Sequence, residues 1–124
     1  MVKVVHFEIP AEDPEASVKF FSNVFGWNFN KWGEMDYYLS ESGPEEEYGI
    51  EGAIIKRNHP EQPIVNTIQV EDIDSTMKRI IENGGEIVVL KQSIPGIGTH
   101  CYFKDLSGYI HGVLEPDRTV KPSQ

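Results

Sequence analysis

The sequence has little cysteine, few basic residues and no long apolar run. Its single cysteine, Cys101, cannot form an internal disulfide, which is typical of proteins kept in a reducing compartment. No stretch is long and apolar enough to span a bilayer, and the start lacks the basic and then apolar pattern of a secretory signal. These absences predict a cytoplasmic protein, and they favour a buried, structural Cys101 over a reactive thiol.

Basic residues are outnumbered by acidic ones. Eleven Lys and Arg stand against 20 Asp and Glu, which gives a formal net charge of -9. A surface of that sign repels the phosphates of nucleic acids and an anionic membrane, so we expect neither as a partner. At 124 residues the chain is long enough to bury a core of its own, which favours a single domain.

The first segment of the chain predicts a strand over residues 2–9. Side chains alternate along a strand, so Val5 and Phe7 share one face with Ile9, while His6 and Glu8 lie on the other. One face is therefore apolar and suited to a core, and the opposite face is polar. The proline that follows at position 10 predicts the end of this strand.

A helix is predicted from Asp13 to about Phe25. Asp13 is suited to the N-cap and Pro14 to the first helical position, and Gly26 supplies a stop. Four apolar residues recur at helical spacing and form the predicted buried stripe: Val18, Phe21, Val24 and Phe25.

Three more strands are predicted after this helix, at residues 27–32, 35–40 and 49–56. Between the last two lies an acidic run with many turn-forming residues, at 41–47. We interpret this run as a solvated loop rather than a cation site, because blocks of like charge repel one another.

The same order of elements begins again after a polar linker. Asp72 is suited to cap a second helix, which Gly84 and Gly85 end. The apolar stripe of this helix comprises Ile73, Met77, Ile80 and Ile81. Strands are predicted on both sides of it, at residues 64–70, 86–91, 99–104 and 109–115.

The two halves are related by a constant offset of 59 residues. The first strand, the helix cap and the helix stop all show it: Ile9 and Ile68, Asp13 and Asp72, Gly26 and Gly85. A constant offset across three features indicates an internal duplication. Each copy is predicted as a strand, a helix and three strands.

Three segments carry a resemblance to a known family. They are residues 19–27 (KFFSNVFGW), residues 70–74 with 83–85 (VEDID and NGG), and residues 105–108 (DLSG). In this order they resemble the signatures of the glyoxalase, bleomycin-resistance and extradiol dioxygenase superfamily, also called the vicinal oxygen chelate superfamily. The resemblance covers nearly the whole chain and is specific for the fold rather than for one reaction.

The resemblance implies an α+β fold of two tandem βαβββ modules. Their mixed sheets are expected to curl around a shared cavity, with the helices outside. Module one is expected at about residues 1–57, a linker at 58–63 and module two at about 64–116, before a polar tail at 117–124. In this arrangement His6 and Glu8 face the cavity.

Metal-dependent members of the superfamily hold a divalent cation with His and Glu from the first and fourth strands of each module. The first-strand positions correspond to His6 and Val65 here. The fourth-strand positions correspond to Gly112 and to Gly52, or to Glu51 if the alignment shifts by one residue. We therefore expect no metal cofactor, because catalytic sites keep about three protein ligands. The resemblance leaves a second interpretation open, in which zinc, nickel, manganese or iron binds.

Six residues are candidates for contact with a ligand: His6, Glu8, Tyr38, Glu51, Thr67 and Gln69. Thr67 and Gln69 share the strand parity of Val65, so they are expected to face the cavity opposite His6 and Glu8. Tyr38 is the predicted aromatic wall. Polar groups that converge in this way are typical of a site for a small polar or amphipathic molecule. The alternatives are that these groups bond only one another and water, or that His6, Glu8 and Glu51 form a displaced metal site.

The other histidines have structural interpretations. His100 and its neighbour Cys101 point to opposite faces of a strand, which excludes a Cys-His nucleophilic pair. His111 is expected to pack toward a helix, and His59 lies in the linker.

The favoured function is a metal-independent, glyoxalase-like protein that binds a small molecule. If it is an enzyme, we expect a lyase or isomerase that uses His6 or Glu8 as a base. The alternative is a metal-dependent lyase similar to lactoylglutathione lyase, and a third is a regulatory or subunit module with a vestigial cavity. The resemblance is also compatible with a homodimer.

Overall fold

The structure is a computed structural model that describes residues 2–41, 48–58 and 60–117. Its elements are β1 (Lys3–Ala11), α1 (Pro14–Phe25), β2 (Asn28–Lys31), β3 (Tyr37–Glu41), β4 (Glu51–Lys56), β5 (Val65–Gln69), α2 (Ile73–Glu82), β6 (Glu86–Ile94), β7 (Gly98–Lys104) and β8 (Ile110–Pro116). We call β1 to β4 with α1 module one, and β5 to β8 with α2 module two. The predicted α+β class and the repeated βαβββ order are confirmed.

The chain divides into two compact units, one of them Val5–Val65 and the other running from Asn66 onward together with the residues up to Val4. In module one the strands lie in the order β2-β3-β4-β1, with β1 and β4 parallel and the other pairs antiparallel. Module two has the matching order β6-β7-β8-β5, with β5 and β8 parallel. The repeat in the sequence is therefore also a repeat in topology.

Strand β1 continues through Pro10, so the prediction that this proline ends the strand was wrong. Pro10 pairs with Ile55 and Ala11 with Lys56, and the N–H of Arg57 donates to the Ala11 carbonyl at 2.8 Å. A proline lacks only its own N–H, so the ladder continues through the groups on either side of it.

Helix α1 has the predicted caps. The Asp13 carboxylate accepts the N–H of Ala16 at 3.2 Å, and Pro14 occupies the first helical position. Gly26 adopts φ 72°, a left-handed conformation that suits glycine, and its N–H donates to the Ser22 carbonyl. Local side-chain chemistry therefore sets both ends of this helix.

The buried stripe of α1 is shorter than predicted. Val18 and Phe21 pack on the sheet of module one, but Val24 and Phe25 are 55% and 60% exposed. Phe25 lies at the last turn, where its ring contacts those of Phe21 and Trp27 at centroid distances of 6.1 and 5.7 Å. The aromatic residues at this end cover one another instead of entering the core.

Helix α2 is held at its start by two carboxylates. Asp72 accepts the N–H of Ser75 at 3.2 Å, and Glu115 on β8 accepts the N–H of Ile73 at 2.9 Å. Ile73 is buried, whereas Ile81 is 60% exposed, so the prediction of a buried Ile81 was wrong. Ile81 directly follows Ile80, and neighbouring helical residues lie about 100° apart, so the sheet covers only one of the two.

Each helix covers one face of the sheet of its own module. The core of module one is formed by Ala11, Tyr38 and Ile54, with Ile9, Val18, Phe21 and Phe29 around them. The core of module two is formed by Val70, Ile73, Cys101 and Val113, with Ile68, Met77, Ile80 and Phe103 around them. Cys101 is 0% exposed, and burial raises the pKa of its thiol, which agrees with a structural role. Within the described ranges, no helix is long and apolar enough to cross a membrane.

A hydrogen-bonded turn joins β7 to β8 in module two. One carboxylate oxygen of Asp105 accepts the N–H groups of Ser107 and Tyr109 at 2.9 and 3.0 Å. The other oxygen lies 2.8 Å from Nε2 of His111, whose ring stacks on Phe103. The bond to His111, followed by that to Tyr109, holds the pKa of Asp105 below its usual range.

This turn predicts an acid-dependent stability effect. The folded state lowers the pKa of Asp105, so its contribution is present above the unfolded pKa of about 3.9 and is lost as the pH falls through the folded pKa. We expect Asp105→Asn to lower the urea midpoint at pH 7 and the deficit to shrink toward pH 2. Urea unfolding at pH 7, pH 4 and pH 2 measures this, with Asp36→Asn as the control of equal charge change. A deficit that stays constant across this range would contradict the mechanism.

Candidate functional site

Module one presents a polar strand face on the side of its sheet opposite α1. Ile9 and Ile54 pack toward α1, so alternation places their neighbours on the other side. There His6 on β1 pairs with Glu51 on β4, and Glu8 pairs with Ala53. His6 is half-buried and Glu8 is 7% exposed. The structure thus brings three of the predicted site residues, His6, Glu8 and Glu51, onto one face.

A hydrogen bond crosses this face from β1 to β3. Nε2 of His6 lies 3.0 Å from the hydroxyl of Tyr37, and the two rings are 13° from parallel. Strand β4 lies between β1 and β3, so the two backbones are roughly 10 Å apart and the side chains reach over β4. On β4, His6 is opposite Glu51 and Tyr37 is opposite Ile55, so the bond runs diagonally past Ala53, the small residue between those two positions on the same face.

Burial holds both rings of the pair in their neutral forms at pH 7. It lowers the pKa of His6, while a backbone hydrogen bond and the charge of Glu51 act in the opposite direction. Burial, followed by the charge of Glu8, raises the pKa of Tyr37 well above its usual range. The face therefore combines a neutral imidazole and an un-ionised phenol with two carboxyl groups.

The fourth strand carries Glu51, not Gly52, at the position beside His6. The favoured sequence alignment placed Gly52 there and was wrong by one residue. Gly52 is on the α1 side, where a Cβ atom would lie 2.2 Å from the Phe7 ring, and Ser40 bonds both its N–H and its carbonyl. A shift of one residue turns every strand side chain to the other face, so the register alone determines this outcome.

The matching positions of module two carry no donor atom. Strand β8 begins at Ile110, 59 residues after the start of β4 at Glu51, and Val65 stands 59 residues after His6. The predicted position Gly112 lies two residues further along β8, where it pairs with Thr67 just as Ala53 pairs with Glu8.

At the positions that the resemblance assigns to metal ligands, module one holds one imidazole and one carboxylate, and module two holds no donor side chain, with Val65 on β5 and Ile110 or Gly112 on β8. Catalytic metal sites use about three protein ligands, so this donor set does not fit the cation of the metal-dependent members. Across residues 2–41, 48–58 and 60–117, no group of three His, Cys, Asp or Glu side chains is placed to hold a metal ion.

Tyr38 is a core residue, so its predicted role as a ligand wall was wrong. Its side chain is 9% exposed and packs with Ala11 and Ile54 on the α1 side, where Lys31 lies 5.9 Å from its ring centroid. The site tyrosine is its neighbour Tyr37. Tyr37 and Tyr38 are adjacent on β3, so their side chains point to opposite faces of the sheet. Only the pairing of β3 with β4 shows which of the two faces the site.

Thr67 and Gln69 lie on a corresponding face of module two. Thr67 is buried opposite Gly112, and Gln69 is exposed opposite Leu114. His100 stands on β7 of the same module. Their shared parity on β5 is as predicted, while their contact with a ligand stays a prediction.

His100 was missed as a member of the polar face of module two. It pairs with Leu114, next to Tyr102, and the His100 and Tyr102 rings meet edge to face at 5.3 Å. Burial lowers the pKa of His100. Cys101 lies in the core on the other side of the sheet, as the exclusion of a Cys-His pair requires. His59 and most of the acidic run at 41–47 lie outside the described residues.

Comparisons with known proteins agree with this architecture. Residues 3–41 match a family model described as bleomycin resistance protein-like N-terminal. A glyoxylase-like domain-containing protein of Didymella fabae is 28% identical over 115 residues, which cover 86% of this chain and 88% of that protein.

Two solved structures share the fold. Methylmalonyl-CoA epimerase of Streptomyces coelicolor, in complex with 2-nitronate-propionyl-CoA, aligns with a TM-score of 0.66 at 11% identity, over 97% of this chain and 98% of the epimerase chain. The second structure is a glyoxalase/bleomycin resistance protein/dioxygenase superfamily member from Vibrio splendidus. It aligns with a TM-score of 0.62 at 18% identity, over 91% of this chain and 97% of that chain. The chain thus has the fold of these two proteins, and its residues 3–41 are similar to the N-terminal part of bleomycin resistance protein-like proteins.

Proposed function

We propose that this protein binds a small molecule against the polar strand face of module one, and that it does so without a resident metal ion. We define this site face as His6, Glu8, Tyr37 and Glu51. The observation that carries the proposal is the bond between His6 and Tyr37, which lies beside the buried Glu8. The face thus carries a hydrogen-bonded pair of side chains rather than a set of metal ligands.

The site face has the composition of a small-molecule site. Such sites place a few polar groups on a rigid scaffold, and here three paired strands hold all four side chains. His6 and Tyr37 are half-buried, so a ligand would meet them partly shielded from water, where hydrogen bonds are stronger. A neutral imidazole and a carboxylate also supply the groups needed for general acid–base chemistry, which suits a lyase or isomerase.

The metal-free state is tested by calorimetric titration of the purified protein with nickel, zinc and manganese. We expect no stoichiometric site of micromolar or tighter affinity, because the ligand positions that the resemblance assigns carry only two donor side chains, those of His6 and Glu51. His6→Ala is expected to titrate like the natural protein. One metal ion per chain at a micromolar Kd, lost in His6→Ala, would overturn the metal-free proposal.

Ligand binding is tested by a thermal-melt screen. The panel includes methylmalonyl-CoA, because the epimerases of similar fold bind CoA esters, and the adduct of methylglyoxal with glutathione. A ligand at 100 times its Kd stabilises a protein by about 2.7 kcal/mol, which shifts the melt measurably. For any compound that binds, Glu51→Gln is expected to weaken binding about tenfold. Glu15→Gln, which changes the net charge equally on the exposed face of α1, is expected to leave it unchanged.

A second candidate is a metal-dependent lyase similar to lactoylglutathione lyase. The pairing of His6 with Glu51 favours it, because both residues stand at family ligand positions. It requires metal-stimulated turnover of methylglyoxal with glutathione that His6→Ala abolishes. If no compound of the panel shifts the melt and no turnover occurs, the third interpretation, a regulatory or subunit module, gains support.

A further inference from the structure

We propose that the site face accepts hydrogen bonds from its ligand rather than donating them, and that it therefore selects a small molecule with a protonated amine over one with a carboxylate or phosphate. This inference rests on the small-molecule function proposed above and names the chemical class of the ligand. The arrangement that carries it is the hydrogen-bonded pair of His6 and Tyr37, set between the carboxyl groups of Glu8 and Glu51.

The two rings of the site face use their hydrogen-bond donors within the protein. A neutral imidazole has one N–H and one lone pair, and a phenol has one O–H. The Glu51 backbone makes a hydrogen bond to the His6 ring that raises its pKa, so the backbone group is a carbonyl that accepts the ring N–H. We assign this N–H to Nδ1, because Nε2 lies 3.0 Å from the Tyr37 hydroxyl. Nε2 then carries the lone pair and accepts the phenolic O–H.

The groups that remain for a ligand are acceptors. The Tyr37 oxygen keeps its lone pairs after donating its proton, and the exposed Glu51 carboxylate offers about four lone-pair positions. Each of these groups accepts more than one hydrogen bond, so a protein partner does not prevent it from bonding a ligand. A ligand with N–H groups can therefore bond to this face, whereas an anion meets no donor on its four side chains.

The charge of the face favours the same class of ligand. Burial, followed by the negative charge of Glu8, raises the pKa of Tyr37, so Glu8 adds a second carboxylate beside that of Glu51. The half-buried Tyr37 ring lies next to these groups. An aromatic face beside carboxylates suits an ammonium group, which gains from both cation–π and charge-assisted contacts.

The basic residues of this part of the chain lie away from the site face. They are Lys3, Lys19, Lys31, Lys56 and Arg57. Lys19 stands on α1, and the other three lysines have the strand parity of the α1 side. Arg57 follows β4, roughly 20 Å along the chain from Glu51, and pairs with Glu12. Along β1 to β4, no Lys or Arg side chain stands on the strand face that holds Glu8 and Glu51.

The experiment compares small molecules that differ mainly in charge. Butyl, benzyl and indolylethyl compounds are each titrated as amine, alcohol and carboxylate into isotope-labelled protein, and the NMR signals of His6 and Glu51 report binding at the site face. We expect the best amine to bind with a Kd about tenfold below those of its alcohol and carboxylate, because charge-assisted hydrogen bonds are the stronger ones. Glu51→Gln is expected to remove most of this preference. Glu15→Gln, with an equal charge change on the exposed face of α1, is expected to retain it.

The nitrogen chemical shifts of the His6 ring test the assignment of donors. We expect the proton on Nδ1 and none on Nε2 in the natural protein. Tyr37→Phe, which lacks the acceptor oxygen, is expected to bind the amine more weakly, whereas Tyr38→Phe removes a hydroxyl on the core side of the same strand and is expected to bind it unchanged.

Three results would overturn the inference: a ring proton on Nε2, no binding of any amine, or an alcohol or carboxylate that binds this face as tightly as its amine. The last result leaves the small-molecule function standing, because a ligand still occupies the site face. If no compound binds here or in the melt screen, both proposals fail. The comparison of the three charge classes uses the natural protein, so it does not depend on the folding of any variant.

Discussion

Gly98→Ala is expected to lower the free energy of unfolding by about 3 kcal/mol, combining the strain of its backbone conformation with overpacking. Gly98 begins β7 at φ 149°, a conformation that residues with a side chain rarely adopt. A Cβ atom there would lie 2.2 Å from the carbonyl oxygen of Glu115 and 2.9 Å from the Pro116 Cα. Both are backbone atoms of the neighbouring strand, so neither can rotate aside as a side chain could.

Urea unfolding measures this loss, and Gly49→Ala is its matched control. Gly49 has a similar φ of 142°, but no atom lies within 4 Å of the place where its Cβ would be. We expect Gly49→Ala to show the strain alone, about 1 kcal/mol. Equal losses in the two variants would mean that the close approach of β7 to β8 contributes nothing.

Ile54→Ala is expected to destabilise the protein by about 3–4 kcal/mol, through lost burial and the cavity left behind. Ile54 is 1% exposed and packs with Ala11 and Tyr38 beneath α1. Its neighbours on β4, Ala53 and Ile55, face the other way, so the same strand that anchors the core also forms the floor of the site face. Stability and site geometry are therefore coupled through β4.

The measurement is again urea unfolding, and Ile64→Ala is the control of identical chemistry. Ile64 is 65% exposed, so we expect its loss to stay within about 0.5 kcal/mol. Ile54→Val, which removes one methylene, is expected to cost about 1 kcal/mol. If Ile54→Ala and Ile64→Ala lost the same free energy, the core assigned to module one would be wrong.

Predictions based on neighbouring residues succeeded. The caps at Asp13 and Asp72 and the left-handed Gly26 lie where the sequence pattern predicts them. Their energetics involve the carboxyl group, the first helical N–H groups and the freedom of glycine, all within one turn of the chain. The offset of 59 residues also holds in three dimensions, because β4 and β8 begin at Glu51 and Ile110.

Predictions that needed the relation between distant strands failed by small shifts. Tyr37 and His100 hold matching positions, opposite Ile55 and Leu114, yet they are 63 residues apart rather than 59. The hairpins differ in length, so the repeat rule that identifies Val65 does not carry over to the third strands. The choice of Tyr38 instead of its neighbour Tyr37 failed because the pairing of β3 with β4 sets which of the two side chains faces the site.

The sequence by itself determined the number and order of the elements, the duplication and the polar parity of His6 and Glu8, because alternation and capping depend on residues close in the chain. Only the tertiary structure decided that Glu51 stands beside His6, that Tyr37 reaches over Ala53 to bond it, and which ends of the helical stripes stay exposed. The physical reason is the period of a strand: a shift of one residue in pairing exchanges the two faces, and that shift is set by packing between segments far apart in the chain.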